Sequence, residues 1–299
     1  MYDFLSYKDR TVKIYDVVGD ESGGNGYNHT ATLQGHVGPV WEVSWAHPKF
    51  GVVLASCSFD GSVLIHREST PHNWITILDK KQLHESSVNS CEFAPHHHGL
   101  LCAAASSDGR VSILTHEQDD SWSIHYISDN TLGVNSVSWC PDDGQTKKIV
   151  TGGCDNQIRF YTQTNTTENT TASWEISDHD YVDTSKLSHS DWVRDVSWAP
   201  SIVPNQHIVA SCSEDGTVLI WNSDGTNGWK PTLLHQFPEP VWRVRWNMTG
   251  SLLAVSSGDN HVSLWKAGLD GIYSQVTTVQ DMSNPSTAAT NINDETPSE

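Results

Sequence analysis

Residues 189–221 read HSDWVRDVSWAPSIVPNQHIVASCSEDGTVLIW, and this stretch carries the organisation of the whole chain. Its first half holds VRDVSW (Val193–Trp198), which alternates with the period of a β-strand that has two distinct faces. Its second half holds an Asp-Gly step, Asp215–Gly216, followed by the strand-like VLIW. Such a step suits a tight hairpin turn because both residues tolerate positive φ.

Both halves recur. The V-x-x-[VC]-x-[WF] core returns as VWEVSW (Val40–Trp45), VNSCEF (Val88–Phe93), VNSVSW (Val134–Trp139) and VWRVRW (Val241–Trp246). The turn block returns as SFDGSVLIH, SSDGRVSIL, GCDNQIRFY and SGDNHVSLW, with a sixth copy, YKDRTVKIY, near the N-terminus. The turn aspartates are Asp9, Asp60, Asp108, Asp155, Asp215 and Asp259, at intervals of 51, 48, 47, 60 and 44 residues. In the copy that begins at Val40, the strand-like runs are Val40–Trp45, Val52–Ser58, Val63–His66 and Trp74–Leu78. Four short strands per unit at this period describe the blades of a β-propeller, and six aspartates imply six blades. The expected fold class is all-β, with residues 1–279 forming the propeller.

Composition narrows the function classes. Seventeen Lys plus Arg against 36 Asp plus Glu give a net charge of −19, unfavourable for non-specific binding to nucleic acid or anionic membrane. No apolar run approaches the ~20 residues that span a bilayer. The opening MYDFLSYKDR lacks a basic segment followed by an apolar one, so the chain reads as soluble and intracellular. Its six cysteines are expected to be reduced and, in strings such as LASCS and VASCS, buried in strands. No P-loop, dinucleotide fingerprint or H-E-x-x-H occurs, so neither catalysis nor a cofactor is expected. The run His96–His98 is the one hint of a metal, and a surface turn is its blander reading.

The turn Asp, a Ser or Thr four residues before it, an aromatic six after it and a His in the preceding loop resemble the WD-repeat signature. In that family these side chains form a buried hydrogen-bond network. One copy has all four: His189, Ser211, Asp215 and Trp221. The others are partial. His36, Ser56 and Asp60 end in His66; His84 and Asp108 stand with Ala104 and Leu114. Thr151, Asp155 and Tyr161 have no loop His, and His235, Asp259 and Trp265 stand with Val255. Ser, His and Asp also compose a hydrolase triad. Here the trio recurs in fragments at the fold period without a nucleophile elbow, which favours the structural network.

The resemblance is narrower than the repeat. Gly35–Gly61, Ser86–Gly99, His189–Pro200 and Pro240–Lys266 are similar to the Sec-thirteen family, and the similarity runs from about Leu5 to Lys266. That resemblance implies a six-bladed propeller, open between its last and first blades, that serves the COPII coat outer cage in ER-to-Golgi transport and the nuclear pore outer ring. The implied partners are the large COPII cage subunit and a Y-complex nucleoporin, both with α-solenoids, which insert a seventh blade in trans. A nutrient-signalling (TORC1 regulator) complex is a further implied partner. The implied locations are the cytoplasmic face of the endoplasmic reticulum with its vesicles, and the nuclear envelope. For the insertion surface the candidates are Thr11, Val12, Ile14 and Tyr15 on the first blade, with Trp242, Trp246, Val262, Leu264 and Trp265 on the last. Two alternatives stay open: a Seh-type nucleoporin, and a peptide-binding WD-repeat adaptor such as a ubiquitin-ligase substrate receptor. The adaptor would need arginines and aromatics gathered at the central channel, with Arg194 and Arg243 as candidates.

Three segments are irregular. Eight residues precede Asp9, so the innermost strand of the first blade is expected to be missing. Residues 162–187, rich in Thr, Asn, Ser and Asp, read as an exposed loop in which Trp174 and Ile176 supply an outer strand. Residues 280–299 read as a disordered acidic tail.

Overall fold

The computed structural model describes residues 2–6, 9–19, 25–141, 146–164, 173–176, 187–200, 206–225, 228–268 and 271–280. Blade 1 consists of β1 (Tyr2–Ser6), β2 (Val12–Gly19) and β3 (Asn25–Leu33); blade 2 of β4 (Val40–Trp45), β5 (Val53–Ser58), β6 (Val63–Thr70) and β7 (Asn73–Lys80). Blade 3 holds β8 (Val88–Phe93), β9 (Leu101–Ser106), β10 (Arg110–His116) and β11 (Trp122–Ser128). Blade 4 holds β12 (Val134–Trp139), β13 (Lys148–Gly153), β14 (Ile158–Thr164) and β15 (Ser173–Glu175). Blade 5 comprises β16 (Val193–Trp198), β17 (His207–Ser213), β18 (Thr217–Ser223) and β19 (Lys230–Gln236). Blade 6 comprises β20 (Val241–Trp246), β21 (Leu252–Ser257), β22 (His261–Ala267) and β23 (Tyr273–Gln280). Each sheet pairs its strands in chain order and antiparallel, five with four strands and the first with three. The innermost position of blade 1 is unfilled among the described residues.

The turns between second and third strands form as their residues dictate. Gly61 and Gly109 have φ of +79° and +85°, and Asn156 and Asn260 take the same left-handed conformation in the Asp-Asn copies. A Cβ on Gly61 would also stand 2.6 Å from the carbonyl oxygen of His84, so the turn lets the next loop pass close by.

Alternating side chains bury both faces of the inner blades. Five apolar clusters join successive blades. Val12, Ile14 and Leu33 of blade 1 meet Val40, Val43 and Leu54 of blade 2. Corresponding clusters join blades 2 and 3, 3 and 4, 4 and 5, and 5 and 6. Among the described residues no sixth cluster joins blade 6 to blade 1, which leaves the ring open there. All six cysteines are free thiols; five are buried, of which Cys57, Cys91, Cys102 and Cys212 lie in strands and Cys140 just past β12.

Within the span 162–187 an outer strand forms around Trp174. Thr162 to Thr164 pair with Ser173 to Glu175, and Trp174 is buried with its ring centroid 5.8 Å from that of Trp139. Ile176 lies past the strand and is 52% exposed. The rest of that span, apart from Leu187, lies outside the described residues, as does the expected tail beyond Gln280.

Candidate functional site

The four side chains of the complete signature lie together between blade 5 and its preceding loop. His189 Nε2 lies 2.7 Å from Ser211 Oγ, which also accepts the Trp221 indole N–H at 2.8 Å. His189 Nδ1 lies 2.8 Å from Thr217 Oγ1, and the Thr217 hydroxyl donates to Asp215 at 2.6 Å. Asp215 also accepts the backbone N–H of Ser190 at 2.7 Å. Burial alone would raise the Asp215 carboxyl, but the bonds from His189, Thr217 and Ser190 outweigh it and hold the group far below the usual carboxylate range. Ser211 is fully buried and its oxygen is taken by Trp221, so this trio has no route to a substrate.

The incomplete copies are repaired at a position the signature does not include, four residues after the turn Asp. In blade 3 that residue is Ser112, which stands across the ladder from Ala104 and lies 2.9 Å from His84 Nε2. In blade 6 it is Ser263, opposite Val255, and it accepts the Trp265 indole N–H at 2.9 Å. In blade 4 it is Arg159, which bonds Asp129 at 3.1 Å and pairs with Asp155, while Asp129 accepts the Thr151 hydroxyl at 2.5 Å. In blade 1 it is Lys13, 3.1 Å from Asp9. Blade 2 keeps the usual arrangement, with His36 Nε2 2.8 Å from Ser56 Oγ. His235 does not belong to the set. It is exposed in β19, and Phe237, whose N–H bonds Gly216 just as that of His84 bonds Gly61, takes the loop position. Counting back four residues from the first Val of each inner strand, rather than from the turn Asp, would have found it.

A second pattern runs along the channel. Each inner strand of blades 2 to 5 carries an acceptor two and four residues after its first Val: Glu42 and Ser44, Ser90 and Glu92, Ser136 and Ser138, Asp195 and Ser197. These side chains take N–H groups of the next blade's inner strand. Cys91 N–H donates to Glu42 at 3.2 Å, Phe93 to Ser44 at 3.1 Å, Trp139 to Glu92 at 2.8 Å and Val196 to Ser136 at 3.2 Å. Asp195, wholly buried, collects Ser136 Oγ at 2.7 Å, Val244 N–H at 3.0 Å and Arg245 Nη1 at 2.6 Å, so one carboxylate ties blades 4, 5 and 6. Blade 6 carries arginines at both positions instead. Arg243 and Arg245 reach back to Glu42 at 3.0 and 2.6 Å, across the place that the inner strand of blade 1 would occupy. Burial in this channel raises the Glu92 carboxyl to about 7 despite its bond from Trp139.

The blades flanking the opening show which candidate residues face it. In blade 5, Ala210, Cys212, Val218 and Ile220 are sealed against blade 6. Their counterparts in blade 6 are Ala254, Ser256, Val262 and Leu264; Val262 is 38% exposed and the other three are half-buried. By the same alternation Thr11, Lys13 and Tyr15 are the half-buried face of blade 1 toward the opening. Of the nine candidates, Thr11, Tyr15, Val262 and Leu264 therefore face the opening. Val12 and Ile14 pack on blade 2, Trp265 packs on blade 5, and Trp246 donates its indole N–H to Ser197 of blade 5 at 3.0 Å. Trp242 is 45% exposed at the channel mouth. Strand parity would have separated these sets and added Lys13, Ala254 and Ser256.

His96–His98 forms a single 3-10 turn, with the His96 ring stacked on His47 at 4.1 Å. Among the described residues no group of three His, Cys, Asp or Glu is placed to hold a metal ion.

Repeating four-stranded blades, the turn-aspartate networks and the inter-blade cores define a WD-repeat propeller of six blades, open at one seam. The family described as WD domain, G-beta repeat, matches residues 27–67, 77–113, 121–162, 182–222 and 231–266. Among curated proteins, the chain is 41% identical over 259 residues to "Protein SEC13 homolog" of Drosophila melanogaster, covering 81% of this chain and 69% of that protein. It is 41% identical over 295 residues to "Protein transport protein sec13" of Emericella nidulans, covering 91% and 89%. With the corresponding protein of Coccidioides immitis it shares 42% over 290 residues, covering 91% and 90%. The chain belongs to the SEC13 family of WD-repeat proteins.

Proposed function

We propose that this chain is a non-catalytic scaffold subunit of the COPII outer cage in ER-to-Golgi transport and of the nuclear pore outer ring, and that an α-solenoid partner completes its ring with a seventh blade. The observation that carries the reading is the unmatched pair of faces at the seam. Ala254, Ser256, Val262 and Leu264 present on blade 6 what Ala210, Cys212, Val218 and Ile220 bury on blade 5. A sheet inserted there would bury both faces and pair its strands internally, so affinity would come from apolar packing between sheets. The large cage subunit and a Y-complex nucleoporin fit as blade donors, and the same seam serves a nutrient-signalling (TORC1 regulator) complex. Location follows from the partner: peripheral on the endoplasmic reticulum and its vesicles, or at the nuclear envelope.

Affinity purification of the tagged chain from its own cells, with partners identified by mass spectrometry, tests this. Stoichiometric recovery of an α-solenoid protein that Leu264→Asp abolishes is the expected result. Recovery of ligase subunits without a solenoid protein would overturn it.

A further inference from the structure

The inner strands of blades 2 to 6 share an irregularity. In each, the ladder slips between the first Val and the residue two further on: at Val40/Glu42, Val88/Ser90, Val134/Ser136, Val193/Asp195 and Val241/Arg243. The extra residue of a bulge leaves the pairing pattern and its side chain is re-aimed. Here the five extra residues are Trp41, Asn89, Asn135, Arg194 and Trp242, and all five line one cavity of about 540 Å³ at the channel mouth.

This cavity is chemically unlike the rest of the chain. It is lined by Trp41, Trp192 and Trp242, each between 43% and 45% exposed, by Leu132 at 63%, and by Arg194 and Arg243. Although the chain carries 36 acidic residues against 17 basic ones, no Asp or Glu is among the lining residues. The Arg194 guanidinium sits between the rings of Trp192 and Trp242, 5.2 and 5.1 Å from their centroids, and its Nε is buried without a hydrogen-bond partner. The carboxylates that hold the arginines lie outside the lining: Glu214 for Arg194, and for Arg243 Glu42 at 3.0 Å with Asp195 at 3.9 Å. A guanidinium has five N–H donors, so these contacts leave donors for a further carboxylate. The platform is also built in advance: Trp41 Nε1 donates to Ser87 at 2.9 Å, and Asn89 and Asn135 each bond the carbonyl of the next blade's first Val at 2.9 Å. A rigid site loses little freedom when it binds.

We infer that the channel mouth is a second protein-binding site, which takes an extended acidic segment of a partner. A carboxylate of the segment meets Arg194 and Arg243, and an apolar side chain beside it lies on the indoles. Cation and aromatic faces together are the groups that carry most binding energy at protein interfaces. A nucleic acid fits less well, because it needs many cationic contacts and the remaining surface of this chain is acidic. The site does not rest on the seventh-blade reading: of its lining residues Arg243 reaches across the seam to Glu42, while Trp192 and Arg194, which the test changes, belong to blade 5 and its preceding loop.

The test pans a phage-displayed random dodecamer library on the full wild-type chain, with parallel panning on Trp192→Ala and Arg194→Gln. Trp192→Ala removes a half-exposed ring, and circular dichroism and melting controls show whether each variant is folded. Enrichment on the wild type of clones that place Asp or Glu beside Leu, Ile, Phe or Pro is expected. A synthetic peptide of the leading clone should bind at least about tenfold more weakly to either variant, and more weakly to both proteins at high salt. The inference is overturned by failure to enrich, by clones without acidic residues, by equal binding to the folded variants, or by a poly-dT oligonucleotide that binds the mouth where the peptides do not.

Discussion

Ser112 stands directly across the antiparallel ladder from Ala104, and its hydroxyl lies 2.9 Å from His84 Nε2. In blades 2 and 5 the same imidazole nitrogen meets Ser56 or Ser211 on the second strand. The hydroxyl has thus moved to the neighbouring strand while keeping its partner. Two positions facing each other in a ladder lie about 5 Å apart, close enough for either to serve one buried ring.

Ser112→Ala should leave a buried imidazole nitrogen unpaired and cost about 1–3 kcal/mol of stability. The double variant Ala104→Ser with Ser112→Ala should recover most of that loss. Urea denaturation of the three proteins decides it, and no recovery would mean that the two positions are not interchangeable.

Acid should act on the turn aspartates in a defined direction. Asp108 is held at about 2, because the bond from Arg110 and the charge of His84 outweigh burial, and Asp215 is held lower still. The folded chain therefore binds these protons less tightly than the unfolded one. Their stabilisation is complete above the ordinary value of 3.8 and is lost as pH falls through the folded values. Asp215→Asn should lower the melting temperature at neutral pH, and its difference from wild type should shrink progressively below about pH 4. A constant difference would show that the charge itself contributes nothing.

His66 occupies the aromatic position of blade 2, and burial pushes its imidazole down to about 4. A His held below its ordinary 6.5 costs stability as pH falls from 6.5 toward 4, because only the unfolded chain gains the proton there. His66→Trp removes that cost, and a cavity of about 290 Å³ beside His66 and Trp74 offers room for the larger ring. Melting curves should show a gain of about 1–2 kcal/mol and a flatter profile across that pH window. A lowered melting temperature would mean that the cavity cannot take the indole.

Two substitutions of the same kind separate seam from core. Val218→Asp places a charge in the sealed interface of blades 5 and 6 and should prevent folding. Val262→Asp, at the matching position of blade 6, should shift melting by no more than about 0.5 kcal/mol, as at other surface positions, while it abolishes recovery of the solenoid partner. Equal damage from both would show that the face of blade 6 is already covered by its own chain.

Asp195→Ala should be among the most harmful single changes, at about 2–4 kcal/mol, because it takes the acceptor from the buried Ser136 hydroxyl and Val244 N–H and one of two carboxylates from Arg245. Denaturant midpoints measure the loss. A loss below about 1 kcal/mol would mean that water replaces the carboxylate in the channel.

The blade count and the strand positions were legible in the sequence because both depend on near neighbours. VRDVSW alternates within six residues, and the Asp-Gly and Asp-Asn turns need only local φ freedom. The spacing of His189, Ser211, Asp215 and Trp221 is equally local in origin, since it repeats with the blade. Which neighbour each strand face meets was a matter for the tertiary structure. Alternation sorts Val12 and Ile14 from Thr11 and Tyr15, yet only packing shows that the first pair meets blade 2 and the second faces the opening. The same holds for Ser112 in place of Ala104, for Phe237 in place of His235, and for the reach of Arg245 to Glu42. These pairings join residues far apart in the chain, and the closing of the blades around one axis brings them together. Local pattern is enough to define the repeating unit, whereas the circular packing of those units selects which surfaces are sealed and which remain for a partner.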